Sequence, residues 1–108
     1  MNKSILDENQ LLTADAMVSL VSLASDLKCE CPKHLVSLLS EVRGFTAHES
    51  QCIASSEKDR DTHEWLRQSS VNIDRMLSGT IAQLARLEGM IDSDNAIIQH
   101  PSAPDGEI

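Results

Sequence analysis

From Leu66 to Ile91, apolar or small residues recur at steps of three and four: Leu66, Ser70, Ile73, Leu77, Ile81, Leu84, Leu87 or Glu88, then Ile91. Steps of that size stay on one face only at 3.6 residues per turn, so the spacing predicts a long helix with a single stripe. Its entry is acidic, with Glu57, Asp59 and Asp61 placed to complement the positive end of the helix dipole.

Two further segments show the same period. Leu12, Ala16, Leu20, Leu23 and Leu27 form one face of a first helix, with Thr13 able to cap it. Met17, Val18 and Val21 widen that face until only Asp15, Ser19, Ser22 and Asp26 remain polar, which predicts a helix covered around most of its circumference. A second helix opens at Pro32, a residue suited to the first helical position, and carries Leu35, Leu38, Leu39, Val42 and Phe45 toward Cys52 and Ile53. Gly44 in its middle predicts a close helix approach or a slight bend. A turn around Ala54 to Glu57 leads into the third helix.

These pieces predict an all-α fold, an antiparallel three-helix bundle completed by homodimerisation. Pairing the second and third helices about a turn near Ser55 sets Phe45 level with Leu66 and leaves the third helix running past its neighbour beyond Gly79. That overhang, about 18 Å of helix, carries Ile81, Leu84, Leu87 and Ile91, which are therefore the expected dimer interface. The expected organisation is a flexible N-terminus over 1–10, a helical domain over 11–91 and a disordered acidic tail over 92–108, where Pro101 and Pro104 interrupt any helix.

Charge narrows the partners. With 9 Lys and Arg against 17 Asp and Glu, the chain has a net charge of -8, the wrong sign for a surface that neutralises phosphates, so direct nucleic-acid binding is not expected. The start of the chain lacks the apolar run of a secretory signal, and no apolar segment approaches the roughly 20 residues of a membrane span, so a cytoplasmic protein without membrane contact is expected. Three cysteines, Cys29, Cys31 and Cys52, fit thiols or metal ligands better than a disulfide framework.

Cys29-Glu30-Cys31-Pro32-Lys33-His34 is the most distinctive local run. Two thiolates and an imidazole at a helix start supply three zinc-type ligands, Cys29, Cys31 and His34, although no second half-site accompanies them. The same residues also read as a cap at Cys31, a buried Cys29 and a surface His34. Cys52 lies about 27 Å down the helix from His34 and belongs elsewhere. There, His48 and Cys52 share a face at i, i+4, and the hairpin brings His63 opposite, a weak echo of the H-E-x-x-H zinc helix. Trp65 reads as a plug beside Phe45 or as an interface anchor. There is no G-x-S-x-G elbow, no Gly-rich phosphate loop and no Glu-x-x-His pair of a di-iron bundle, so no enzyme is expected.

The run Cys29 to Leu35, Phe45, Cys52, the Asp61 to His63 segment and Leu87-Glu88-Gly89-Met90 together resemble the helical C-terminal segment of some MerR-like bacterial transcription regulators. The resemblance covers roughly Leu12 to Ile91 and implies a dimerising, regulatory or signal-sensing module. The DNA reader of that family has no counterpart here, so DNA binding is not carried over. The function expected is a small non-enzymatic regulatory or adaptor protein that forms a homodimer and contacts an unknown protein partner through its helices, with no cofactor. A zinc or redox sensor at Cys29, Cys31 and His34 is the alternative.

Overall fold

The computed structural model describes residues 4–24, 30–55 and 58–98. It contains three α-helices that pack on one another: α1 (Ala14–Ala24), α2 (Cys31–Ser55) and α3 (Arg60–Leu87). Among the described residues there is no strand, only isolated bridges. No helix among them is long and apolar enough to cross a membrane.

The helix ends follow from local chemistry. Thr13 caps α1, its Oγ1 accepting the Ala16 N–H at 3.1 Å, one of the donors that a helix start leaves unmatched. At α2 the Glu30 carbonyl accepts the His34 N–H at 3.0 Å, which makes Cys31 the first helical residue and Pro32 the second. Pro32 thus sits one position later than the sequence predicts and still loses nothing, because no helix carbonyl precedes it to receive an N–H. α3 closes in a Schellman motif: the Met90 N–H donates to the Ala85 carbonyl at 2.8 Å and the Gly89 N–H to that of Arg86 at 3.1 Å, with Gly89 at φ 76°. Met90 and Ala85, which that motif brings together, are both buried.

Residues 4–10 and 92–98, expected to be flexible and disordered, instead close the core. Each forms the same small turn. Asp7 Oδ1 accepts the N–H groups of Asn9 and Leu11, and Asp92 Oδ1 those of Asp94 and Ala96. The fourth residue of each turn, Gln10 and Asn95, has a positive φ of 66° and 64°. Leu6 then bridges Leu12, Ile91 bridges Ile97, and Ser4 joins Ala96. The Ile5 N–H donates to the Asn95 carbonyl at 2.7 Å, and Ile5 and Ala96 are buried. Helical periodicity does not register these turns, because their apolar residues are too few and fall on a two-residue period.

The core joins Ile5, Leu12, Ala16 and Leu20 to Val36 and Leu39 of α2 and to Ile81, Ala82, Ala85, Met90 and Ile91. Between α2 and α3 it gives way to a line of polar pairs. Arg43 binds both carboxylate oxygens of Asp74, at 2.7 and 3.1 Å. Thr46 bonds Ser70, and His63 Nδ1 lies 2.6 Å from Glu49 Oε1. Ser70, Asp74 and Ser78, four residues apart on α3, are all buried, as is Glu49.

The first two of these pairs correct the predicted register. Arg43 lies beside Asp74, and Thr46 beside Ser70, so the centre of pairing falls near residue 58 and the start of α2 comes level with about Arg86. The overhang beyond Gly79 therefore disappears. Ile81 and Ile91, at 2% and 3% exposure, are core residues of this chain, in one buried cluster with Ile5, Leu12, Ala16 and Leu20. α1 is not enclosed either: Val18 is exposed. Gly44 marks no close approach, since a Cβ there would meet nothing within 4 Å.

Candidate functional site

The described residues measure 62 × 27 × 17 Å, with a radius of gyration of 16.5 Å against about 13 Å for a compact domain of this length. Such a thin shape leaves one side of the α2–α3 pair uncovered. α1 takes the side bearing Val36 and Leu39; the other bears Leu35, Leu38, Val42 and Phe45 of α2. Opposite them stand Leu66, Ile73, Met76 and Leu77 of α3, and these four with Leu38, Val42 and Phe45 bound a groove of about 510 Å³. Its polar lining residues are Glu41, Ser69 and Ser70. A second hollow lined by Leu35, Met76, Gly79, Thr80, Leu84 and Leu87 shares Met76 with it and extends the apolar surface along α3.

The sequence explains why this surface exists. α2 has apolar residues on two sides, Val36 and Leu39 on one and Leu38 and Phe45 on the other, and only the first pair is covered. α3 likewise turns Ser70, Asp74 and Ser78 inward and leaves Ile73 half-exposed and Met76 73% exposed. Isolated surface hydrophobes are ordinary, whereas these form a contiguous set on two neighbouring helices. Trp65, expected as a plug beside Phe45, is 66% exposed and fills no interior gap. Next to it Arg67 bonds Glu64 at 2.6 Å, and that hydrogen bond holds the Glu64 carboxyl below the usual carboxylate range.

The predicted interface residues divide. Leu87 is exposed and Leu84 half-buried, both lining the second hollow, whereas Ile81 and Ile91 are unavailable. Of the predicted zinc ligands, Cys29 lies outside the described residues. Cys31 and His34 are exposed, and His34 Nε2 stands 4.0 Å from Glu30 Oε1. Of the other predicted cluster, His48 and Cys52 come together and His63 pairs with Glu49. Cys52 Sγ and His48 Nε2 are 3.6 Å apart, and His63 reaches Glu49 rather than either of them. Glu49 entered the sequence reading only as the glutamate of the H-E-x-x-H echo; its burial was not foreseen, because a helical glutamate is ordinarily solvated.

Compared with family models, curated proteins and solved structures, the chain matches none.

Proposed function

We propose that the chain is a non-enzymatic regulatory or adaptor protein whose antiparallel helices form a homodimer through the open α2–α3 face. The single observation behind this reading is the groove bounded by Leu38, Val42, Phe45, Leu66, Ile73, Met76 and Leu77. A second copy is the occupant that suits it best. α2, at 25 residues, is about 37 Å long, and two helices side by side are about 20 Å wide. The face thus offers about 750 Å² per protomer, near the roughly 800 Å² of a standard stable interface. Two such pairs laid face to face make a four-helix bundle, in which the same residues of each copy meet across a two-fold axis. Leu84 and Leu87 extend the seam, while Ile81 and Ile91 stay in each protomer's own core.

Light scattering between about 1 and 100 μM tests it. The wild type is expected to be a dimer. Ile73→Glu with Phe45→Glu, each placing a carboxylate in the seam at a cost of several kcal/mol if unpaired, is expected to yield a monomer of unchanged helicity. A wild-type monomer throughout that range overturns the proposal.

A further inference from the structure

At the far end of α2 from its Pro32 start, three side chains of different chemistry converge. His48, Glu49 and Cys52 each offer a ligand atom, and these atoms all lie within 4.8 Å of one another. His48 and Cys52 share a helix face at i, i+4, with Cys52 Sγ 3.6 Å from His48 Nε2. Tetrahedral zinc, with bonds of about 2.3 Å to sulfur and about 2.05 Å to nitrogen, requires an S···N edge of about 3.6 Å. Glu49 supplies the third atom from a buried carboxylate, 4% exposed as a residue. On its other side, His63 from the first turn of α3 reaches Glu49 Oε1 through Nδ1 at 2.6 Å. A hydrogen bond of that kind is how proteins aim a ligating carboxylate.

From this arrangement we infer that His48, Glu49 and Cys52 form a binding site for a divalent metal of the zinc class, with His63 as the positioning residue for Glu49. A nitrogen, an oxygen and a sulfur suit zinc or cobalt better than magnesium or calcium, which favour oxygen alone. Three protein ligands leave a fourth position for water or an incoming group. Binding deprotonates the Cys52 thiol, the proton passing to solvent, and the sulfur lone pair forms the metal bond without any change of oxidation state. Because the Glu49 tie crosses to α3, an occupied site also fastens the end of α2 to the start of α3. This site is separate from the Cys29, Cys31 and His34 run and from the α2–α3 groove, and it does not depend on dimerisation.

Cobalt titration of the untagged full chain under reducing, metal-free conditions tests the proposal. One Co²⁺ per chain is expected, with a thiolate-to-cobalt charge-transfer band in the near ultraviolet that disappears when Zn²⁺ is added. Cys52→Ser is expected to abolish the band, and Cys31→Ser to leave it intact. Glu49→Gln and His63→Gln are each expected to weaken Co²⁺ affinity by about 10–100-fold with the thiolate band retained at saturation. Circular dichroism of each apo variant establishes that it is folded, and Cys52→Ser, which changes one atom, serves if the Glu49 variant is not. Absence of a thiolate band in the wild type overturns the proposal. So does a band that survives Cys52→Ser, or one that depends on Cys31 instead.

Discussion

Replacing Asp74 with alanine tests the polar seam that joins the helices. Its carboxylate accepts three hydrogen bonds: Arg43 Nε at 2.7 Å, Arg43 Nη2 at 3.1 Å and Ser78 Oγ at 2.9 Å. The same groups continue outward. Arg43 Nη2 also donates to the Leu12 carbonyl at 2.7 Å, and Ser78 Oγ accepts the Leu12 N–H at 2.8 Å, so the network holds the entry to α1 as well. Removing one partner of a fully buried pair costs about 3–5 kcal/mol, because the other charge is left without compensation. The Arg43 side chain is 28% exposed and can recover some hydration, which lowers the expected loss to about 2–4 kcal/mol. At about 4–8 °C per kcal/mol for a domain of this size, the melting midpoint should fall by about 10–25 °C. Thermal denaturation followed by circular dichroism at one fixed protein concentration measures this, since dimer formation would make the midpoint concentration-dependent. The double variant Asp74→Leu with Arg43→Met should lose markedly less than the two single losses added together, with a coupling of at least about 1 kcal/mol. A single variant within about 1 kcal/mol of wild type, or strictly additive losses, would refute the reasoning.

Two other perturbations test the terminal turns. Gly89→Ala places a Cβ on a residue at φ 76° and should cost about 1–2 kcal/mol in urea denaturation, although nothing within 4 Å would touch the new atom; an unchanged midpoint would show that the turn relaxes freely. Deleting residues 92–108 removes the buried Ala96 and uncovers Ile5, so it should lower the melting midpoint by more than about 5 °C, or about 1 kcal/mol, whereas a dispensable tail would leave it unchanged.

Much of the fold was legible in the sequence because helix formation is local. Steps of three and four located all three helices and Thr13 announced a cap, while α2 runs on through Ala54 and Ser55, where a turn was expected. The candidate groove was legible only in part. Leu38, Val42, Phe45 and Ile73 were marked as stripe residues, but a stripe shows that a face is apolar and says nothing about which neighbour covers it. They were assigned to the core, and the structure leaves them at the surface. The metal-type cluster was half legible: His48 and Cys52 share a helix face by spacing alone, while the role of Glu49 depends on His63 from another helix.

Helix identity and the acidic balance are thus properties of neighbouring residues, and the sequence by itself determined them, whereas the stripe carried the third helix to Ile91 and α3 ends at Leu87. The inside and the outside of the bundle were decided by the tertiary structure. The buried polar row Ser70, Asp74 and Ser78 is satisfied by Thr46, Arg43 and the backbone of Leu12. Those partners lie 24, 31 and 66 residues away along the chain, and a polar group can be buried without loss only where such distant partners meet it. The same long-range contacts set the register of α2 on α3. That register places Ile81 in the buried core with Ile91 and leaves the opposite side of the two helices open.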